Sequence, residues 1–281
     1  MSGQADDSVP ALVDGAWLAE HLDDPDLRVL HIANDRAEYD EAHVRGAVYA
    51  HGYGDFTEDR DGVRALVPSP ERMAANLSRL GVSPDERIVC TAGARSAWPA
   101  RAYWVLRYYR FPRVHLADGA VPALREAGVP VDAEAPPVAP TDVTLPEPDE
   151  AIIALSGDVL EAAEGGPARI IDCRSDGEWL GEAHGHAEAP RMGRIPRAVH
   201  LEWERLVRED GRLLPLEQLR SLFSAAGVDG SVEAYPYCGG GVRSAVAWFV
   251  MHELLGYERA RNYDGSWSEW AVREELPIER G

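Results

Sequence analysis

The apolar positions of the chain fall into short runs bounded by turn formers, with longer stretches of helical spacing between them. Leu27-Arg-Val-Leu-His-Ile32, Ala47-Val-Tyr49, Arg87-Ile-Val-Cys90 and Val114-His-Leu116 read as buried strands. Helices are predicted over Leu12–Leu22, over Arg36–Glu41, from Ser69 to about Leu80 with Gly81 as the stop, and over Ala100–Tyr109. The polar, glycine-rich stretch His51 to Gly62 reads as a long loop, and residues 1 to about 9 as a disordered polar start. Asp132 to Asp149 is rich in proline and acidic residues and has no period, as expected of a linker extended along the surface.

Beyond that linker the pattern starts again. Arg169-Ile-Ile-Asp-Cys173 matches Val29 to Ile32, Gly193-Arg-Ile-Pro-Arg-Ala-Val199 matches Ala42 to Val48, and Phe223 to Val228 matches Leu77 to Val82. Gly227 lies 146 residues after Gly81, and Asp264 lies 146 after Asp118. Two copies of alternating strands and helices predict an α/β protein of two tandem domains, each a mainly parallel sheet flanked by helices. The expected boundaries are 10–131, a linker over 132–150, and 151–281. Sites in such sheets form at the carboxyl ends of strands.

Composition narrows the function classes. All 28 basic residues are arginine, against 48 acidic ones, a net charge of −20. That balance argues against nucleic-acid binding, which requires a basic face. The missing lysine fits a GC-rich genome or an acidic proteome. No apolar run reaches the roughly 18 residues of a membrane span, and the start has neither a basic nor an apolar signal region, so a cytoplasmic protein is expected. Three cysteines, Cys90, Cys173 and Cys238, with no Cys-x-x-Cys spacing, argue against a disulfide framework and a zinc site.

One stretch carries the chemistry: Tyr235-Pro-Tyr-Cys238-Gly239-Gly240-Gly241-Val242-Arg243-Ser244, followed by the apolar run Ala245 to Leu255. A cysteine leaves a strand, three glycines allow a tight turn with inward N–H groups, and a helix begins. The N–H groups and the helix N-terminus both favour a thiolate, so Cys238 is expected to have a lowered pKa and to be nucleophilic. Cysteine phosphatases use Cys-x5-Arg, room enough for three phosphate oxygens. Here Cys238 and Arg243 give Cys-x4-Arg, a smaller cradle that suits a single terminal sulfur held by N–H donors. Sulfur transfer is favoured over phosphoryl or arsenate chemistry.

This loop, together with Asn262-Tyr-Asp-Gly-Ser-Trp-Ser-Glu-Trp270, resembles the C-terminal half of tandem-domain rhodanese sulfurtransferases. Ile171-Asp-Cys-Arg-Ser175 resembles the family's first strand, and Gly193-Arg-Ile-Pro-Arg-Ala198 its Gly-His-Ile-Pro-Gly-Ala turn. The resemblance implies a catalytic C-terminal domain, an inactive N-terminal domain and a site in the cleft between them. It implies a small-molecule sulfur donor, a Cys238 persulfide, and cyanide, a thiol, thioredoxin or a sulfur-carrier protein as acceptor, with no cofactor and no metal. Donor signatures are mixed. Thiosulfate enzymes often carry Arg or Lys where Gly239 stands. Mercaptopyruvate enzymes often carry serine at the Gly240 position, threonine at the Arg243 position, and an acidic pair after the N-terminal Gly-Ala turn, where Val48 to Tyr53 has none before Asp55. Arg243 offers a cation to an anionic donor, so thiosulfate is expected, with 3-mercaptopyruvate as the alternative and a carrier that turns over poorly as a further one.

Other residues carry two readings each. Cys90-Thr-Ala-Gly-Ala-Arg95-Ser96 repeats the Cys-x4-Arg-Ser spacing. Aligning the halves sets Ala92 opposite Cys238, however, which favours a buried structural Cys90 over a second active loop. Cys173 reads as core. The resemblance implies that Asp172 and Arg174 pair beneath the loop, and that Arg191 and Arg194 lie in the segment entering the cleft. Donor-anion binding and solvated surface are equally open for those two arginines. His184, His186 and His200 make a weak metal signal. Trp267 and Trp270 read as packing.

Overall fold

The computed structural model describes residues 9–185 and 189–280. The expectation of a disordered start therefore falls, over residues 1–8, outside the described residues. In the N-terminal half five parallel strands lie in the order Leu12–Val13, Val114–Ala117, Arg87–Thr91, Leu27–Ala33, Val48–His51. The C-terminal half reproduces that order. Ile153–Ala154 pairs with Asn262–Tyr263, a bridge from Ala260 to Ala234 leads to Ala234–Tyr237, and Arg169–Asp172 and Val199–His200 follow, all parallel. The strands are nearly continuous apolar runs because helices cover the sheets.

The repeat extends to single hydrogen bonds. The Val82 N–H reaches the Leu77 carbonyl at 3.0 Å, and 146 residues later Val228 reaches Phe223 at 2.9 Å. Gly81 and Gly227 end their helices in the left-handed region, at φ +66° and +74°. The Val121 N–H binds the Ala92 carbonyl, and the Trp267 N–H binds the Cys238 carbonyl, each at 3.0 Å. Ala92 is thus the counterpart of Cys238. Cys90 lies earlier, inside the strand Arg87–Thr91, fully buried, where desolvation pushes its thiol far up.

Two stretches differ from expectation. Leu12–Val13 is an edge strand, and the helix runs only over Gly15–His21, because the Asp14 carboxylate caps it by accepting the Trp17 N–H at 2.8 Å. The supposed long loop from His51 to Gly62 is structured. A helix spans Gly52–Phe56, with His51 Nδ1 accepting the Gly54 N–H at 2.8 Å, and Glu58–Arg60 pairs antiparallel with Val63–Leu66 in a hairpin. The linker is extended and pinned to the N-terminal half: the Thr141 N–H and hydroxyl donate to the Ser78 and Val82 carbonyls, and the Asp149 N–H to Tyr108.

One hydrophobic core runs through both halves. The helix Trp98–Tyr108 packs on the helix Ser244–Phe249, which continues as a π-helical turn over Val250–Leu254, with the Tyr103 and Phe249 rings edge to face at 4.8 Å. The halves therefore meet along a built interface that leaves a cleft at the carboxyl ends of the strands.

Candidate active site

Cys238 follows the strand Ala234–Tyr237 and lies on the floor of that cleft, 1% exposed. Its backbone is held from one side by Ser266. The Ser266 hydroxyl accepts N–H bonds from Cys238 at 3.1 Å and Gly241 at 2.9 Å and donates to the Tyr263 carbonyl at 2.7 Å. The Cys238 and Gly239 carbonyls accept from the Trp267 and Ser268 N–H groups. Among the described residues, the N–H groups of Gly239, Val242 and Arg243 have no acceptor in the protein, and those of Gly240 and Ser244 face the Cys238 sulfur. The loop closes on itself with a row of unspent donors, and the Ser244 hydroxyl lies 3.6 Å from Cys238 Sγ. Two glycines are required by the geometry. Gly241 has φ +71°, and a Cβ there would sit 2.8 Å from Arg101 Nη1; a Cβ on Gly240 would sit 2.8 Å from that of Ala65 in the opposite half.

Charge at the thiol is set by opposing effects. Burial alone pushes the Cys238 thiol up. The Arg243 guanidinium, then the N–H and hydroxyl of Ser244 and the N–H of Gly240, outweigh it and hold the pKa below the ordinary thiol value. Arg243 is not a free cation, however. It makes a two-bond fork to Glu178, 2.7 and 2.9 Å, in a site where the Glu178 side chain is 5% exposed. Burial raises the Glu178 carboxyl, but the Arg243 fork and the Ser175 bonds bring it down to about 2. Glu178 also receives the Ser175 N–H and hydroxyl, a capping box at the start of the helix Asp176–Leu180.

The other predicted residues separate into two groups. Asp172 and Arg174 do pair beneath the loop: Arg174 Nε donates to Asp172 at 2.9 and 3.1 Å, its Nη2 reaches the Gly193 carbonyl, and its guanidinium stacks 4.4 Å over Trp267. Tyr237 donates to the same Asp172 carboxylate. Arg191 and Arg194 are not brought to the cleft. Arg191 donates to the Trp270, Ala271, Arg273 and Leu276 carbonyls, and Arg194 is forked to Glu279 and stacked on Trp179. Both fasten the C-terminal segment, which corrects the donor-anion reading. Cys173 is buried core, its thiol raised by burial and by Cys238. Of the histidines, His184 bonds the Ala189 carbonyl, His200 bonds the Arg174 carbonyl, and His186 lies outside the described residues. Trp267 and Trp270 are packing residues that donate to the Arg191 and Pro277 carbonyls.

Sequence reasoning missed the wall opposite Cys238. The cleft, about 1110 Å³, is lined from the N-terminal half by His51, Tyr53, Arg64, Arg72, Arg95 and Trp98. Arg95 is engaged across the cleft by Glu204 and Glu209. His51 and Tyr53 come from the stretch expected to be a loop, Arg64 from the hairpin strand just beyond it, Arg72 from the helix Pro70–Arg79, and Arg95 and Trp98 from the counterpart of the Cys238 loop. Glu178 was legible only as the capping box Ser175-Asp-Gly-Glu178. Ser266 lies within the Asn262–Trp270 motif, whose pattern gives no sign that its hydroxyl holds the Cys238 and Gly241 N–H groups.

Residues 156–273 match the Rhodanese-like domain family. Over 278 residues the chain is 35% identical to the protein named sulfur carrier protein TtuD of Thermus thermophilus, covering 96% of each. It is 33% identical to a Haloferax volcanii protein provisionally named thiosulfate sulfurtransferase, again over 96% of each chain. Among solved structures it is similar to SseA from Escherichia coli, described with the rhodanese fold and mechanism of 3-mercaptopyruvate sulfotransferases, at TM-score 0.81 and 26% identity over 92% of this chain and 99% of that one. An anaerobic ergothioneine biosynthesis enzyme from Chlorobium limicola shares the fold at TM-score 0.85 and 21% identity, over 96% of this chain and 70% of that one. The fold and the cysteine loop define a tandem rhodanese-fold protein. The chain belongs to the rhodanese family of sulfurtransferases.

Proposed function

We propose that this protein takes the outer sulfur of thiosulfate onto Cys238 and passes it to a thiol or to cyanide. The carrying observation is the Cys238 thiol, lowered in pKa, facing unspent N–H donors on the floor of a cleft. In the first step the Cys238 thiolate attacks the sulfane sulfur. The S–S bond of thiosulfate breaks, sulfite leaves with its electron pair, and Cys238 becomes a persulfide anion. The N–H groups of Gly239, Gly240, Val242, Arg243 and Ser244 receive that terminal charge as an oxyanion hole receives oxygen. In the second step the acceptor attacks the terminal sulfur and the Cys238 thiolate is restored. Cyanide leaves as thiocyanate, a thiol as its own persulfide. The cycle is ping-pong and needs no outside oxidant or reductant. Arg243 serves here as the thiolate's counter-charge, oriented by Glu178, rather than as a free anchor for the donor. The engaged guanidinium also speaks against a phosphatase cradle.

The similarity to SseA favours 3-mercaptopyruvate as a second reading, and the carrier name of the Thermus relative favours passage of sulfur to a protein acceptor. In this reading the chemistry belongs to 151–281, and 10–131 supplies the far wall. Single-turnover loading tests the proposal. Incubation with thiosulfate should add one sulfur (about 32 Da) to Cys238, cyanide should remove it, and Cys238→Ser should gain none. A wild-type protein that gains no sulfur from thiosulfate but gains it from 3-mercaptopyruvate replaces the first donor with the second. Gain from neither sinks the enzymatic reading.

A further inference from the structure

With Arg243 committed to Glu178 and Arg95 to Glu204 and Glu209, the cleft still holds cations without such partners, and they stand on the N-terminal wall. Arg64 comes no closer than 4.0 Å to a carboxylate, that of Asp59, whose other oxygen is occupied by the Ala65 N–H. Arg72 reaches one carbonyl, that of Gly54, at 3.4 Å. Arg64 is the better placed because its backbone is fixed against the reactive loop. Its carbonyl accepts the Ser268 hydroxyl at 2.9 Å, and the next carbonyl, Ala65, accepts Arg101 Nη2 at 3.1 Å. Ala65 itself is held at φ +61°, a conformation an alanine adopts only under constraint, with its methyl facing Gly240. The hairpin is thus seated on the Cys238 loop, and Arg64 leaves it at the cleft.

A second group converges there. Tyr53 lines the same cleft, its ring held edge to face against Trp98 at 4.6 Å and its N–H bonded to Asn34 at 3.1 Å. Its hydroxyl has no hydrogen-bond partner among the described residues. Burial first, and the neighbouring Cys238 second, push the phenol up, while Arg64 and Arg243 act in the other direction, so the hydroxyl stands within electrostatic reach of all three. It remains a protonated donor.

We propose that Arg64 and Tyr53, both of the N-terminal half, form the oxyanion subsite that binds the charged end of the sulfur donor and directs its sulfane sulfur to Cys238. The inference rests on the sulfurtransferase reading of Cys238. A guanidinium and a phenol hydroxyl suit a sulfonate or a carboxylate, with Arg64 contributing charge and paired N–H donors and Tyr53 one O–H donor. When the donor S–S bond breaks, the growing charge on sulfite stays on the same two groups. The N-terminal half, without a nucleophile at Ala92, then acts as the donor-recognition half.

The test separates binding from chemistry. Sulfite and pyruvate are titrated calorimetrically into Cys238→Ser, in which loading cannot occur. Adding Arg64→Gln should weaken the preferred anion about tenfold, and adding Tyr53→Phe should weaken it several-fold, as loss of charge-assisted and neutral hydrogen bonds predicts. Arg64→Lys should recover part of the loss. In the cysteine-containing protein, Arg64→Gln should raise the donor KM for loading by a similar factor. Discharge of a preformed persulfide by dithiothreitol, a neutral acceptor, should stay within about twofold. Anion affinity and donor KM unchanged in Arg64→Gln overturn the subsite even if wild type loads well from thiosulfate. Arg64-dependent sulfite binding by a protein that takes no sulfur from thiosulfate keeps the subsite and overturns the donor. The arm that binds more tightly, sulfite or pyruvate, identifies sulfonate or carboxylate as the preferred end.

Discussion

At the scale of single residues, the cysteine's reactivity depends on a three-member chain, Cys238, Arg243 and Glu178. Arg243 offsets the burial that would otherwise raise the thiol, and Glu178 holds the guanidinium in place by its fork. Arg243→Gln should therefore return the thiol to or above its ordinary range. Its rate of sulfur loading against pH should shift to the alkaline side of the wild-type profile, and a coincident pair of profiles would remove Arg243 from the mechanism. The same pair shapes acid stability. Glu178 is depressed from 4.5 to about 2 in the folded protein, so the folded state holds fewer protons on it than the unfolded chain between those values. Its contribution, about 3 kcal/mol from the size of the shift, is complete above the unfolded value and is lost as pH falls through about 2. Denaturant unfolding from pH 7 to pH 2.5 should show wild type losing this increment relative to Glu178→Gln, with the gap between the two narrowing toward the acid end.

At the scale of elements, the hairpin Glu58–Leu66 and the loop Cys238–Ser244 are built as a pair. Gly240→Ala should push Ala65 and the reactive loop apart and slow loading by about tenfold to a hundredfold, as small misplacements at a reacting atom do. Adding Ala65→Gly removes the opposing methyl and relieves the left-handed strain of about 1 kcal/mol, so the double variant should recover most of the rate. Gly241→Ala should not be rescued, because its new Cβ would meet the Asp264 carbonyl at 2.9 Å as well as Arg101, and its φ is positive. Loading rates of the four proteins decide the matter; a double variant no faster than Gly240→Ala refutes the pairing. This is also where the sequence was least legible. The strands, the internal repeat and the Cys238 loop could be read because each depends on local pattern: apolar runs, matched segments of which two pairs lie 146 residues apart, glycines after a cysteine. The hairpin could not, because Glu58-Asp-Arg and Val63-Arg-Ala-Leu carry little apolar alternation and are ordered by the opposite half, through Ser268 and Arg101. Arg191 and Arg194 misled for the same reason. The resemblance put their segment at the cleft, and only three-dimensional contacts reveal that the C-terminal carbonyls and Glu279 occupy them instead.

At the scale of the whole molecule, the two halves are joined by a buried charge as well as by the shared core. Arg101, on the N-terminal helix Trp98–Tyr108, is wholly buried and reaches across to Asp264 at 2.7 Å and the Gly241 carbonyl at 3.4 Å, while holding Phe56 and Ala65 in its own half. Asp264 returns the contact by accepting the Val67 N–H at 2.7 Å. A single guanidinium therefore ties the reactive loop, the hairpin and the helix bearing Tyr53 into one arrangement. Removing one member of such a pair leaves the other charge without compensation in a dry site, which costs about 3–5 kcal/mol. Arg101→Met should lower stability by that amount while the chain still unfolds in one transition, because the core joining Tyr103 to Phe249 remains. Asp264→Asn in the same chain keeps an acceptor for Val67 and removes the stranded charge, so the double variant should recover part of the loss. Two separated unfolding transitions in Arg101→Met would mean that the ion pair, and not the apolar interface, holds the halves together. Additive losses in the double variant would mean that Arg101 acts mainly through the carbonyls of Phe56, Ala65 and Gly241.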